Sequence, residues 1–154
     1  MSTRTIKILH VEDEESQRLL FAHHLRAMDD LRFEIHYADT EDAALDVFRT
    51  GGVVFVILDY QLRHGDGLHC LEELRRRDAV VPIIAVSGVA TAEIAADLVQ
   101  AGADDYISKR DLTSGVLARR LRDALGRSDA WRQRILVNGH EGPGGLLHGR
   151  RAVS

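Results

Sequence analysis

Hydrophobic and polar positions along the chain alternate between two periods, one typical of β-strands and one typical of α-helices. Two runs, VVFVIL at Val53–Leu58 and VPIIAV at Val81–Val86, are continuously apolar and rich in β-branched residues. Such runs are typical of strands that are buried on both faces of a sheet. Shorter runs predict three more strands, over Thr5–Val11, Phe33–Tyr37 and Asp105–Ser108.

Segments with apolar residues at helical spacing separate these strands, and they predict five helices. The helices are expected over Ser16–Met28, the segment that Thr40 caps and Gly51-Gly52 ends, Gly67–Arg76, Thr91–Gln100 and Leu112–Leu125. In the first helix, the residues at helical spacing are Leu19, Leu20, His23, His24 and Ala27. The alternation predicts an α/β fold, a doubly wound five-stranded parallel sheet covered on both faces by five helices.

Composition and charge limit the class of function. The chain has 154 residues, of which 45% are hydrophobic and 29% charged, and this is ordinary for a soluble globular domain. The single cysteine, Cys70, excludes a disulfide framework. Residues 1–126 hold 22 acidic and 15 basic residues, a balance of −7, whereas residues 127–154 hold 2 acidic residues and 5 arginines, a balance of +3. Because the larger part is acidic, we expect no direct nucleic-acid partner.

The sequence contains no apolar run of the length that a membrane span needs, and no charged-then-apolar leader. We therefore expect a cytoplasmic protein without a membrane partner. One folded domain is expected over residues 1–126. Residues 127–154 are expected to form a helical extension over Ser128–Val137 and a flexible Gly-rich tail, with no separate output domain.

Polar residues follow the predicted strands at the edge where ligands bind in open α/β sheets. With a strand order of 2-1-3-4-5, the order reverses between strands 1 and 3, which Glu12, Asp13 and Asp59 follow, while Ser87 and Lys109 end strands 4 and 5. Converging carboxylates repel one another unless a hard cation such as Mg²⁺ or Mn²⁺ lies between them. A metal, a lysine and a hydroxyl can hold a phosphoryl group, and a carboxylate can act as its acceptor. Taken singly, each residue also fits a helix cap, a turn or a solvated charge.

Four segments match a known family in order and spacing. They are ILHVEDEE at the first strand, VVFVILDYQLRHGDGL around the third, VPIIAVSG at the fourth and AGADDYISK at the fifth. Over about residues 5–125 the chain resembles the CheY-like receiver domain of two-component response regulators. The resemblance implies the flavodoxin-like receiver fold. It also implies a phosphoacceptor with intrinsic Mg²⁺-dependent phosphotransfer and autodephosphorylation, and not an enzyme acting on a substrate of its own.

The resemblance implies a metal-binding and acceptor role for four residues. Asp59 would be the phosphoacceptor, attacking a phosphohistidine, and would also contribute to the metal site. Asp13 would bind Mg²⁺ directly, Glu12 would bind it through water, and the backbone carbonyl of Gln61 would complete the protein ligands.

Three further residues would hold the phosphoryl group or respond to it. Ser87 and Lys109 would each bond a phosphoryl oxygen, and Tyr106 would be the switch aromatic that follows the movement of Ser87. The implied phosphodonor is a histidine kinase or phosphotransfer protein, and the downstream protein target is unknown. A homodimer through residues 91–125 or through the tail is also open.

The chain departs from the family pattern at several positions around this edge. Lys109-Arg110 replaces the usual Lys-Pro with its cis peptide, so this peptide is expected to be either trans or strained. Arg63 stands where proline is frequent, and Gln61 and Val89 occupy the positions that govern access of water to the acyl phosphate. Two alternatives stay open: a pseudo-receiver that takes no phosphate, and a receiver fragment of a longer regulator. An aspartate-nucleophile phosphatase is disfavoured because Gln61 cannot act as its general acid, and a flavin-binding domain is disfavoured because the acidic edge would repel the FMN phosphate.

Overall fold

The computed structural model describes residues 4–63, 65–89 and 91–139, with side chains described up to residue 129. Strands and helices alternate along the chain. The strands are β1 (Arg4–Val11), β2 (Leu31–Ala38), β3 (Phe55–Asp59), β4 (Ile83–Ser87) and β5 (Asp105–Ser108). The helices are α1 (Glu15–Arg26), α2 (Glu41–Arg49), α3 (Gly67–Arg77), α4 (Ala92–Ala101) and α5 (Ser114–Gly139), with a 3₁₀ turn at Lys109–Asp111.

All five strands are parallel and lie in the order β2-β1-β3-β4-β5, which confirms the predicted topology. The register pairs Val11 with Leu58 and Asp59 with Val86, and it pairs Ser87 with Ser108. The C-terminal ends of β1, β3, β4 and β5 therefore lie side by side. The strand order reverses between β1 and β3, as expected.

The sheet separates two apolar cores, because successive strand side chains point to opposite faces. Leu9 and Val56 pack on one face with Leu71 of α3. On the other face, Ile8 and Ile57 pack with residues of α1 and α5. Every residue of β3 and β4 is buried, so both long apolar runs form strands covered on both faces, as predicted.

The residues that predict α1 by their helical spacing do not form its buried face. Leu19 is 62% exposed and Leu20 is 40% exposed, His23 and Ala27 are also exposed, and His24 is half-buried. The buried residues of α1 are Phe21, Ala22 and Leu25. The helix carries apolar residues on two faces, and helical spacing identifies a stripe without indicating which stripe meets the sheet.

Arg75 of α3 fixes the C-terminal end of α4. Its Nε and Nη2 donate to the Gly102 carbonyl at 2.9 and 2.6 Å, and Nη2 also pairs with Asp104 at 2.9 Å. Gly102 has a φ of +117°, and a Cβ at this position would lie 2.8 Å from Arg75 Cγ. Only glycine combines this backbone conformation with such close approach, so the end of α4 away from the carboxyl edge is tightly held.

The last helix, α5, continues without a break through residue 126 to Gly139. Its 26 residues span about 39 Å. The predicted helical continuation over Ser128–Val137 thus lies within α5, whereas the predicted tail over residues 140–154 lies outside the described residues. No helix in the described part of the chain is both long and apolar enough to cross a membrane.

Candidate functional site

Three carboxylates meet at the C-terminal ends of β1 and β3. Glu12 and Asp13 follow β1 directly, and Asp59 is the last residue of β3. Each offers one ligand oxygen, and these oxygens all lie within 4.8 Å of one another. Glu12 is 0% exposed and Asp59 is 2% exposed, while Asp13 is half-buried. The convergence expected from the sequence is present.

Lys109, at the end of β5, neutralises part of this negative charge. Its Nζ lies 3.2 Å from Glu12 Oε1 and 3.2 Å from Asp59 Oδ2. Burial and the neighbouring Asp59 carboxylate raise the pKa of Glu12 to about 7. Burial lowers the pKa of Lys109, but the charges of Asp59 and Glu12 outweigh it, so the net shift is upward and Lys109 carries its charge. We call Glu12, Asp13, Asp59 and Lys109 the acidic pocket.

Backbone amides orient the carboxylates. The Gln61 amide donates to Asp59 Oδ1 at 3.0 Å, and the Arg63 amide donates to Asp13 Oδ2 at 2.6 Å. A Cβ at Gly67 would lie 2.6 Å from the Asp59 carbonyl oxygen, so the glycine allows α3 to begin directly against the chain that follows β3. The loop after Asp59 is thereby held close beneath the pocket.

The carboxylates fit a hard divalent cation. All three candidate ligands are oxygens, as Mg²⁺ and Mn²⁺ prefer, and Asp13 keeps Oδ1 available while Oδ2 accepts from Arg63. Both oxygens of Glu12 already accept hydrogen bonds, Oε1 from Lys109 and Oε2 from the amides of Asp13 and Glu14. This agrees with contact of Glu12 through water. A metal contact of the Gln61 carbonyl stays a prediction.

Ser87, at the end of β4, is buried and bonded to its own loop. Its hydroxyl donates to the Val89 carbonyl at 3.1 Å, and the Val89 amide donates back to Ser87 Oγ at 3.0 Å. The Tyr106 hydroxyl donates to the same Val89 carbonyl at 3.1 Å. Residues Ser87–Val89, which we call the Ser87 loop, thus connect the predicted hydroxyl position with the predicted switch aromatic. Ser87 lies one residue beyond Val86, the β4 partner of Asp59.

The departure at Lys109-Arg110 does not require a cis peptide. No peptide bond in the described residues is cis, so this one is trans. The chain turns here through the 3₁₀ turn, and the Arg110 amide donates to Ser108 Oγ at 3.3 Å. Lys109 nevertheless reaches both carboxylates, because it still follows β5 directly.

Sequence reasoning missed two residues beside the pocket. Arg18 donates from Nε to the Glu12 carbonyl at 2.8 Å, and its guanidinium lies 5.5 Å from the centroid of the Tyr37 ring. His10 is 1% exposed, and neither ring nitrogen has a hydrogen-bond partner among the described residues. Burial lowers the pKa of His10 to about 3, which keeps it neutral. The sequence feature that could have identified His10 is a histidine within the apolar run IKILHV. No feature of the sequence distinguishes Arg18 from the other arginines.

Comparison with known proteins identifies relatives of this chain. An NtrX-like response regulator of Rickettsia felis is 38% identical over 106 residues, which cover 68% of this chain and 22% of that protein. KdpE of Escherichia coli, a KDP operon transcriptional regulatory protein, is 36% identical over 123 residues, covering 80% of this chain and 52% of that protein. The chain therefore spans between about a fifth and a half of these two relatives.

Solved structures agree with this relationship. NtrX from Brucella abortus superimposes with a TM-score of 0.75 at 29% identity, covering 84% of this chain and 29% of that chain. A CheY-like receiver domain protein from Methanospirillum hungatei has the same fold, with a TM-score of 0.71 at 23% identity over 84% of this chain and 98% of that one. The profile of the response regulator receiver domain matches residues 8–121, which include all four residues of the acidic pocket. This chain belongs to the response regulator receiver domain family.

Proposed function

We propose that this receiver domain accepts a phosphoryl group on Asp59 from a phosphohistidine of a histidine kinase or phosphotransfer protein. The observation that carries the proposal is the acidic pocket. Asp59 is nearly fully buried beside Asp13 and Glu12, and Lys109 lies 3.2 Å from one of its oxygens. Family membership supports the same chemistry for residues that occupy the matching strand ends.

The transfer exchanges one bond to phosphorus for another. An oxygen of the ionised Asp59 carboxylate attacks phosphorus, the P–N bond of the phosphohistidine breaks, and the imidazole leaves with the electron pair and takes up a proton. Lys109, already within hydrogen-bond distance of Asp59, pairs with a phosphoryl oxygen. Asp13 and Asp59 would hold a divalent cation, and that cation would neutralise charge on the phosphoryl oxygens.

The Ser87 loop supports a route from the phosphorylated residue to the surface. To bond a phosphoryl oxygen, the Ser87 hydroxyl must release the Val89 carbonyl, which also accepts from Tyr106. The loop and Tyr106 then rearrange together, changing the surface that α4, β5 and α5 present. A downstream protein that binds this surface would sense the change.

Phosphate uptake tests the proposal directly. Incubation with acetyl phosphate and Mg²⁺ should add one phosphoryl group by intact-mass measurement, and Asp59→Asn should abolish the addition. The matched control is Asp97→Asn, which removes an exposed carboxylate of α4 and should leave uptake unchanged. Uptake that persists in Asp59→Asn would place the acceptor elsewhere. Absence of uptake in the unaltered protein would instead favour a receiver that takes no phosphate.

A further inference from the structure

Two arginines adjoin residues of the acidic pocket, Arg63 through a backbone hydrogen bond to Asp13 and Arg110 by following Lys109 in the chain, and both stand where the family frequently has prolines. Arg63 lies in the loop between β3 and α3, and its amide is fixed by Asp13 Oδ2 at 2.6 Å. Its side chain is 69% exposed, and the acidic group it approaches is Glu14, at 3.9 Å. The backbone anchor holds Arg63 beside the predicted metal ligand Asp13 while the guanidinium stays in solvent.

Arg110 directly follows Lys109, whose ammonium lies in the acidic pocket. Its amide is fixed by Ser108 Oγ at 3.3 Å in the 3₁₀ turn, and its side chain is exposed. Among the residues whose side chains are described, its guanidinium makes no hydrogen bond or ion pair. Arg18, in contrast, is committed to the Glu12 carbonyl and cannot turn toward an incoming molecule without breaking that bond.

The negative charge around the acidic pocket opposes the approach of an anion. Three carboxylates face a single ammonium inside the pocket, Glu14 and Glu15 are exposed beside it, and residues 1–126 carry a net charge of −7. A phosphodonor is itself an anion, so it meets repulsion as it approaches. Charges within about 8–10 Å of the entering group act on it with little screening at physiological ionic strength.

We propose that Arg63 and Arg110 are specificity-determining residues that draw highly anionic phosphodonors to the pocket. They act on the approach of the donor, and they do not coordinate the phosphoryl group once it reaches Asp59 and Lys109. The inference rests on the proposed function, because it concerns the donor for the same Asp59. It assigns the phosphodonor a chemical character, namely a high overall negative charge.

The experiment compares two small phosphodonors of different charge, acetyl phosphate and the less negatively charged phosphoramidate. Phosphorylation rates are measured by intact mass at saturating Mg²⁺ for the unaltered protein, Arg63→Gln, Arg110→Gln and the double variant. We expect the double variant to react about three- to tenfold more slowly with acetyl phosphate at low ionic strength, and to lose less rate with phosphoramidate. The difference should disappear in high salt, since screening removes the attraction.

Two controls separate local attraction from other effects. Arg32→Gln removes an exposed arginine at the opposite end of the sheet and should leave both rates unchanged. The double Arg→Lys variant keeps the charges and should keep the acetyl phosphate rate. The Mg²⁺ dissociation constant of each variant is measured separately, because Arg63 adjoins Asp13, and saturation is adjusted accordingly.

Each outcome bears on the inference. Equal slowing with both donors at every salt concentration would overturn it, since the arginines would then act at the reacting centre. Rates that match the unaltered protein would overturn it while leaving phosphorylation of Asp59 intact. If the unaltered protein itself takes no phosphate, the proposed function fails, and this inference falls with it.

Discussion

The acidic pocket and the Ser87 loop share one edge of the sheet but are held together by different interactions. In the pocket, buried carboxylates pair with Lys109, and breaking such an ion pair costs about 3–5 kcal/mol. The Ser87 loop is held by three hydrogen bonds between uncharged groups, each contributing about 0.5–1.5 kcal/mol. Displacing Lys109 from the acidic pocket is therefore costly, whereas rearranging the Ser87 loop costs only a few kcal/mol, a range that the contacts of the proposed phosphoryl group can overcome.

The largest effect is expected for Lys109→Met, because it leaves Glu12 and Asp59 buried without a cation. Without divalent ions at pH 8, we expect the free energy of unfolding to fall by about 3 kcal/mol in urea titrations. The loss should shrink at pH 5, where Glu12, with its pKa of about 7, is protonated.

Lys7→Met is the matched control for this prediction. The Lys7 ammonium donates to the Gly51 carbonyl at 2.7 Å and to Thr50 Oγ1 at 3.0 Å, both uncharged acceptors. We expect a loss of about 1 kcal/mol that does not change between pH 5 and pH 8. Equal losses of stability in the two variants would show that the buried carboxylates of the acidic pocket do not make Lys109 more important for stability than Lys7.

Mg²⁺ binding should depend on pH through Glu12. Its pKa is raised to about 7 in the metal-free protein, and a bound cation favours the ionised carboxylate, so we expect Glu12 to release a proton when the cation binds. We expect the Mg²⁺ affinity to fall below pH 7, by up to about tenfold per pH unit. Calorimetry in buffers of different ionisation enthalpy should detect the released proton, and Glu12→Gln should abolish the release.

The same residue shapes the stability of the metal-free protein. The unfolded chain loses the Glu12 proton near the ordinary pKa of 4.5, whereas the folded protein keeps it to about pH 7. Unfolding thus releases a proton in this window, so the contribution of Glu12 to stability declines as pH rises from about 4.5 to 7 and is level above it. A Glu12→Gln variant whose stability declines as steeply would contradict this assignment.

Ser87→Ala should loosen the Ser87 loop without disturbing the pocket. The Val89 amide loses its acceptor, and we expect its hydrogen exchange to accelerate by about tenfold or less. The internal reference is the Ile94 amide, which donates to Thr91 Oγ1 at the start of α4 and should keep its exchange rate. Acceleration at both amides would mean that Ser87 supports the whole of α4 and not the loop alone.

The smallest effect is expected for Tyr106→Phe, which removes a single half-exposed hydroxyl donor to the Val89 carbonyl. The free energy of unfolding should fall by about 0.5–1 kcal/mol. The Val89 amide should keep its protection, because its own bond to Ser87 is retained. If Tyr106→Phe accelerates exchange of the Val89 amide as much as Ser87→Ala does, then Tyr106 stabilises the Ser87 loop as strongly as Ser87 does.

The fold and the acidic pocket could be predicted from the sequence, because the first depends on the hydrophobic pattern and the second on the geometry of a parallel sheet. Continuous apolar runs identify β3 and β4, and parallel strands bring their C-terminal ends to one edge, which places Asp59 and Lys109 at the same edge of the sheet. The face of α1 that packs on the sheet could not be predicted in the same way. Helical spacing does not distinguish a stripe that contains Leu19 from one that contains the buried Phe21. Only packing against Ile8 and Ile57 on the sheet decides which face is inward.

The loop contacts of the site were beyond prediction for a different reason. The bond from the Arg63 amide to Asp13 joins residues 50 positions apart, and the bond from Tyr106 to Val89 joins residues 17 apart. Both depend on the exact course of loops that no periodic pattern specifies. The environment of the His10 imidazole could not be predicted either, because the rings that it contacts, those of Phe21 and Tyr37, belong to separate elements.

The unbroken course of α5 has a mechanical consequence. Arg122 pairs with Asp30 through its two terminal guanidinium nitrogens, at 2.6 and 2.7 Å. Leu117 and Leu121 are buried, so the first half of the helix is fixed to the body of the domain. The second half continues the same axis. A reorientation of this anchored half by about one degree would displace the far end of the helix, about 39 Å from its start, by about 0.7 Å. Any change in the tilt of the anchored half is therefore magnified toward Gly139, because the helix continues without a break.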